Sequence, residues 1–135
     1  MPGYSGTPLP KKLGLKAPMT LAAIGAPSEY RDWLGPLPDD IRITKQAGRA
    51  PAAVHLFTTT RAALSTHLHK LRKQLAPAGF VWVSWPKRSS GVATDITEDT
   101  IRELALPLGF VDVKVCAVSE VWSGLKLVIR KSERP

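Results

Sequence analysis

Short apolar segments alternate along this chain with segments of helical periodicity, and this alternation limits the folds open to it. Residues 19–24 read MTLAAI, residues 52–57 read AAVHLF and residues 80–85 read FVWVSW. Continuous apolar runs of this length are typical of parallel strands that are buried on both faces. The sequence predicts three further strands over residues 41–45, 111–118 and 122–130. We therefore expect an α/β protein.

The segments between these runs predict helices. Leu64, Leu68, Leu71 and Leu75 recur at spacings of four, three and four residues, which places them on one helical face. The last two predicted strands are separated only by residues 119–121, and a connection this short joins antiparallel neighbours. We expect a three-layer Rossmann-like arrangement, with helices on both faces of a mostly parallel sheet.

The length and residue usage fit a single domain. The chain has 135 residues, a size at which one hydrophobic core is usual. We expect an N-terminal arm with a short helix over residues 1–18, one Rossmann-like domain over 19–131 and a tail over 132–135. The N-terminus lacks a signal-peptide pattern, and Cys116 is the single cysteine. These features predict a cytoplasmic protein.

The chain is strongly basic, and its charge is unevenly distributed. The formal net charge is +8, and no aspartate or glutamate occurs between Asp40 and Asp95. A field of this kind attracts phosphates, nucleotides, nucleic acid or acidic proteins. A solvated basic surface explains the same residues, and we favour that explanation because net charge alone does not identify a partner.

Three segments resemble, in order, parts of the class I methyltransferases: residues 13–16, 71–79 and 104–115. The resemblance implies a six-stranded sheet in the order 2-1-3-4-6-5 with an antiparallel C-terminal strand. The whole chain also resembles an uncharacterised family of small bacterial proteins, a domain of unknown function. The segments that match that family are residues 3–9, 11–14, 24–27, 83–87 and 122–126. This second resemblance implies a fold but no chemistry.

The two main cofactor contacts of such folds are missing from the sequence. Glycines after the first strand let the backbone approach a nucleotide closely, but here Gly25 is followed by Ala26 and Pro27. An acidic residue at the end of the second strand holds the ribose hydroxyls, and residues 41–48 contain none. We therefore expect no cofactor, S-adenosylmethionine included, and we lean towards a chain that is not an enzyme.

A ligand site is expected at the edge where the parallel strands end, because open α/β sheets bind ligands there. Residues 85–95 form the best candidate loop, since an aromatic ring, cations and hydroxyl groups together suit a phosphate. Helix capping is the favoured role for the threonines, and core packing explains Trp85 equally well. The candidate ligand-binding residues are Gly25, Thr58, Thr59, Trp85, Lys87, Arg88, Ser89, Ser90, Lys11 and Lys12.

The sequence contains no clear pattern of residues typical of a catalytic or metal-binding site. His55 lies in a predicted buried strand and is expected to be a core histidine with satisfied hydrogen bonds. Cys116 is expected to be an inert thiol in an apolar strand. His67 and His69 lie two residues apart on a helix and point in different directions, so we predict no metal site.

The leading hypothesis is a non-catalytic or weakly catalytic module that binds a small anionic ligand or a protein partner at the strand carboxyl edge. The alternatives are a divergent S-adenosylmethionine-dependent methyltransferase and a nucleic-acid-binding protein whose affinity falls with salt. A homodimer through the fifth strand is a further hypothesis, although Asp112 and Lys114 would guard that edge. Lys126 is expected to pair with Glu120 across the final turn.

Overall fold

The computed structural model describes residues 7–135, which fold into helices and strands in the expected alternation. Part of the family resemblance, residues 3–6, lies outside the described residues. The strands are β1 (Met19–Ile24), β2 (Ile41–Thr44), β3 (Ala53–Phe57), β4 (Phe80–Pro86), β5 (Phe110–Ala117) and β6 (Trp122–Ile129). The α-helices are α1 (Leu9–Leu13), α2 (Tyr30–Leu34), α3 (Arg61–Gln74) and α4 (Glu98–Ala105). Among residues 7–135, none of the helices has the length and apolar character needed to cross a bilayer.

The strands form one mixed sheet in the order β2-β1-β3-β4-β6-β5, and the predicted fold class is confirmed. β1 pairs in parallel with β2 and β3, and β3 pairs in parallel with β4. β6 is antiparallel to both β4 and β5. Because the parallel strands run in one direction, β1, β3 and β4 end at the same edge of the sheet. We call this edge the rim; it includes residues 25, 58 and 87.

Helices cover both faces of the sheet and divide the core into two clusters. On the face covered by α3 and α4, Leu64, Leu68 and Leu71 are buried, as their spacing predicted. On the face covered by α1 and α2, Leu13 and Trp82 are fully buried. The Trp82 Nε1–H group donates a hydrogen bond to the Leu13 carbonyl oxygen at 2.9 Å. Helix α1 therefore packs as part of the core.

The outermost strand, β5, contains a bulge that changes which way its side chains point. Asp112 lies opposite Leu127 of β6, whereas Lys114 lies opposite Lys126, the next residue along, and the irregularity falls between them. Residues two apart on a regular strand share a face, and an extra residue in one strand breaks that alternation. Asp112 consequently faces α4 and pairs with Arg102 at 3.1 Å, whereas Lys114 faces the side of the sheet that carries α1.

Candidate functional site

The turn after β1 is shaped by a close approach between two strand ends. Gly25 has φ +70°, and a Cβ at this position would lie 2.8 Å from the carbonyl oxygen of Phe57 at the end of β3. A side chain would be strained by the positive φ and would also collide with that backbone. Glycine is therefore required here by the contact between the ends of β1 and β3.

A cavity of about 510 Å³ opens beside this turn, and we call it the Gly25 cavity. It lies at the carboxyl ends of β1 and β2. Its walls combine small or apolar side chains with the start of α2 and with two cations, Arg31 and Lys45. No carboxylate is among the lining residues of the described chain, so the cavity is basic. The lining residues are Ala23, Gly25, Ala26, Pro27, Ser28, Tyr30, Arg31, Ile43, Thr44 and Lys45.

Behind the cavity, a buried hydrogen-bonded chain links three elements. The hydroxyl of Tyr30 lies 2.7 Å from His55 Nδ1, and His55 Nε2 lies 2.7 Å from the Ser84 hydroxyl. His55 is fully buried and stacks on Phe57. Burial lowers the pKa of His55 to about 3 and raises the pKa of Tyr30 above its usual range. His55 is thus a neutral core histidine with both nitrogens satisfied, as predicted.

The threonines after β3 serve mainly to begin α3. The Thr60 hydroxyl accepts a hydrogen bond from the Ala63 N–H group at 3.2 Å, so Thr60 is the cap. The Asp95 carboxylate accepts from the Arg61 N–H group at 2.6 Å. A bound anion would meet that carboxylate at the helix N-terminus. The Thr59 carbonyl oxygen accepts from the Thr94 hydroxyl at 2.7 Å. These contacts favour capping, and ligand roles for Thr58 and Thr59 stay predictions.

The loop after β4 borders a separate cavity of about 480 Å³. Trp85 is only 7% exposed and belongs to the core cluster under α3 and α4, which agrees with the packing interpretation. Arg88 lines this cavity from a 3-10 turn. The Ser90 hydroxyl donates to the Lys87 carbonyl oxygen at 2.7 Å and so holds the loop itself. Arg88 and Ser89 are exposed, and their ligand roles stay predictions.

Lys11 and Lys12 lie at a third cavity, on α1. Lys12 Nζ donates to the carbonyl oxygen of Ala117 at 3.0 Å, and both lysines line this cavity with Lys114 and Cys116. Among the predicted site residues, Gly25, the pair Trp85 and Arg88, and the pair Lys11 and Lys12 thus line three different cavities. Burial raises the pKa of Cys116 above its usual value, and the neighbouring cations Lys12 and Lys114 offset only part of this rise. The thiol is partly exposed, which is less buried than we expected.

The final hairpin does not contain the predicted ion pair. Lys126 does not pair with Glu120, because the register sets it opposite Lys114 and its Nζ lies 4.6 Å from the centre of the Phe80 ring. Within residues 7–135, no group of three or more histidine, cysteine or acidic side chains is arranged to hold a metal ion.

Sequence reasoning missed the side chains that give the Gly25 cavity its charge. It noted the lack of an acid after β2, but it did not consider that Lys45 stands there and that Arg31 faces the same cavity. The signal for Lys45 was present, since it directly follows the last residue of β2. The sequence contained no such signal for Arg31, because the position of its side chain depends on how α2 lies against β2.

No protein-family model matches the chain, and no curated protein sequence matches it. Solved structures do match. One is a protein from Sulfolobus solfataricus described as a type 11 methyltransferase, with TM-score 0.63, 13% identity, and coverage of 94% of this chain and 92% of that one. The ribosomal protein L11 methylase from Lactobacillus delbrueckii subsp. bulgaricus matches with TM-score 0.57, 14% identity, and coverage of 90% and 75%. Fibrillarin from Aeropyrum pernix matches with TM-score 0.58, 12% identity, and coverage of 89% and 73%. The chain has a methyltransferase-like fold.

These matches correct the cofactor prediction. We expected no cofactor and argued against S-adenosylmethionine from the missing glycines and the missing acid. That expectation was wrong, because the Aeropyrum pernix fibrillarin structure contains natively bound S-adenosylmethionine within the same fold. The sequence argument failed because it required a motif, whereas a cavity opens beside β1 next to a single glycine.

Proposed function

We propose that this chain binds S-adenosylmethionine in the Gly25 cavity and acts as a divergent methyltransferase-like module. The observation that carries the proposal is the cavity of about 510 Å³ that opens beside the turn after β1, at the carboxyl ends of β1 and β2. Ligands of open α/β sheets bind beyond the carboxyl ends of the strands. The Aeropyrum pernix fibrillarin structure, which shares this fold, contains natively bound S-adenosylmethionine, and this supports the choice of ligand.

The lining residues suit a nucleoside in shape. Their charge differs from the common pattern of nucleotide-binding α/β folds, in which an acid stands at the end of β2. Ala23 and Ile43 would contact the flat base, and the turn at Gly25 would approach the amino-acid portion. Thr44 and Lys45 stand where an acid would otherwise accept hydrogen bonds from the ribose hydroxyls. The bound cofactor would supply a methyl group that a nucleophile can attack. The chain itself would hold and orient the cofactor. We expect weak binding, because no acidic side chain stands at the end of β2 to accept hydrogen bonds from the ribose hydroxyls.

Calorimetric titration of S-adenosylmethionine into the wild type and into Lys45→Glu tests this proposal. The new carboxylate would accept charge-assisted hydrogen bonds from the ribose, which are worth about 1.5–3 kcal/mol each, so we expect at least tenfold tighter binding. Lys70→Glu is the matched control, because it makes the same charge change on the exposed surface of α3. No heat at millimolar cofactor from the wild type, or an equal gain in the control, would refute the proposal.

A second candidate function is the binding of a small anion beside the β4 loop. The specific observation is that Arg88 lines the cavity next to Trp85, and it forms no ion pair with the described residues 7–135. Thermal melting with millimolar phosphate or nucleotide should raise the midpoint of the wild type but not of Arg88→Ala. Equal stabilisation of both proteins would exclude this site.

A further inference from the structure

The cations of the Gly25 cavity stand at the end of β2, where nucleotide-binding α/β folds place the residue that contacts the ribose. Lys45 directly follows β2 and lines this cavity together with Ile43 and Thr44. Arg31 lines the same cavity from α2. In such folds an acid at this place binds free ribose hydroxyls, whereas an arginine nearby accommodates a phosphate on the ribose. The residue types found here therefore favour a phosphorylated sugar.

No acidic side chain replaces the missing acid. Within residues 7–135, neither Arg31 nor Lys45 forms an ion pair. Glu29 and Asp32 are close in sequence, but neither lines the cavity, and the Glu29 carboxylate accepts a hydrogen bond from the Ser28 hydroxyl at 2.8 Å. Both cations are exposed and stable in water, so their charge does not by itself require a ligand. It decides which ligand the cavity would prefer.

The charge of the cavity distinguishes between two kinds of adenine ligand. S-adenosylmethionine carries a positive sulfonium group, which the cations Arg31 and Lys45 would repel. A phosphate on the ribose is negative and would be attracted. The arginine fork can donate two parallel hydrogen bonds to a phosphate, and the lysine adds a compact positive charge.

The backbone that carries Lys45 is held in place. β2 pairs in parallel with β1, with Ala22 opposite Thr44. The Thr44 hydroxyl donates a hydrogen bond to the Gln46 carbonyl oxygen at 3.0 Å, which closes a turn around Lys45. Binding at this place would therefore order side chains but little backbone, which keeps the entropy cost of binding low.

We propose that adenine nucleotides with a phosphate on the ribose bind the Gly25 cavity and compete there with S-adenosylmethionine. The proposal rests on the proposed function in one respect, namely that this cavity accepts an adenine nucleoside. It adds a second class of ligand and a form of regulation, because such a nucleotide would occupy the cofactor's place without a methyl group to transfer. The cavity volume of about 510 Å³ lies within the range of clefts that bind small ligands.

Calorimetric titration with adenosine 2′,5′-bisphosphate, adenosine 3′,5′-bisphosphate and adenosine 5′-diphosphate tests the proposal. All three nucleotides carry two phosphates, but only the bisphosphates carry one of them on a ribose hydroxyl. We expect at least one bisphosphate to bind about tenfold tighter than the diphosphate, which is the gain expected from one charge-assisted hydrogen bond. The same bisphosphate should displace S-adenosylmethionine.

Three variants assign this preference to the two cations. Arg31→Gln/Lys45→Gln should reduce it to less than about threefold. Arg49→Gln/Lys70→Gln removes the same charges from exposed positions outside the Gly25 cavity and should retain it. Lys45→Glu should weaken binding of the bisphosphate while it tightens binding of S-adenosylmethionine. Thermal melting checks folding, and both double variants should keep the wild-type midpoint, since none of the four side chains forms an ion pair within residues 7–135.

Several results would overturn the proposal. These are equal affinities for the bisphosphates and the diphosphate, or no heat from either bisphosphate at millimolar concentration. Equal losses in the two double variants would indicate net charge alone and would also overturn it. Heat from a bisphosphate with none from S-adenosylmethionine would support this proposal and refute the methyltransferase proposal. Binding of S-adenosylmethionine that neither bisphosphate displaces would do the reverse.

Discussion

Acidification should destabilise the protein through one buried histidine. His55 is fully buried and neutral between Tyr30 and Ser84, and burial lowers its pKa to about 3 from an ordinary value of 6.5. Below pH 6.5 the unfolded chain takes up a proton on this residue, while the folded chain does not do so until about pH 3. The unfolded state then binds more protons, so the free energy of unfolding falls as the pH falls through this window.

The size of the effect follows from the shift. One pKa unit corresponds to about 1.36 kcal/mol, so between pH 7 and pH 5 the loss is about 2 kcal/mol. Domains of this size are stable by about 5–15 kcal/mol, which makes the loss a measurable fraction of the total. Urea unfolding followed by tryptophan fluorescence at pH 7, 6 and 5 would measure it.

Two variants isolate the contribution of His55. His55→Gln removes the titrating ring, so its unfolding free energy should fall by about 2 kcal/mol less than that of the wild type between pH 7 and pH 5. His55→Gln should also be less stable at pH 7, since the Tyr30 and Ser84 hydroxyls lose ideal partners. His69→Gln on the exposed side of α3 should keep the wild-type pH dependence. If His55→Gln shows the same pH dependence as the wild type, the reasoning is wrong.

Two further substitutions test packing that the structure assigns. Gly25→Ala and Gly91→Ala place a side chain at a φ of +70° and +75°, and the left-handed conformation costs residues other than glycine about 1–2 kcal/mol. Only Gly25→Ala meets the Phe57 carbonyl, whereas a side chain at Gly91 enters open space. Gly25→Ala should therefore lower the chemical-denaturation midpoint clearly more than Gly91→Ala, and equal losses would contradict the close approach. Trp82→Phe leaves the Leu13 carbonyl oxygen without its buried donor, so calorimetric unfolding should show a loss of about 1–3 kcal/mol. Full stability of this variant would mean that water or another donor satisfies that oxygen.

Much of the fold could be predicted because its signals are local. The spacing of Leu64, Leu68 and Leu71 fixes the buried face of α3, since residues three and four apart lie together on any helix. The short link over residues 119–121 forces β5 and β6 to be antiparallel neighbours. The candidate site was less predictable. The sequence named Gly25 only as a candidate ligand-binding residue. Its approach to Phe57, and the entry of Arg31 and Lys45 into the Gly25 cavity, depend on how the elements pack.

By itself the sequence determined the strands, the helices, the parallel core and the basic charge. The reason is that hydrophobic periodicity, and the glycines and prolines that end each element, act within a few residues. Only the tertiary structure decided where the charges point. Regular alternation would place Asp112 and Lys114 on the same face of β5, where they would partly neutralise each other. The bulge between them turns one towards Arg102 and the other towards Lys126. A shift of one residue in pairing exchanges the two faces of a strand, and pairing between strands is not encoded by either strand alone.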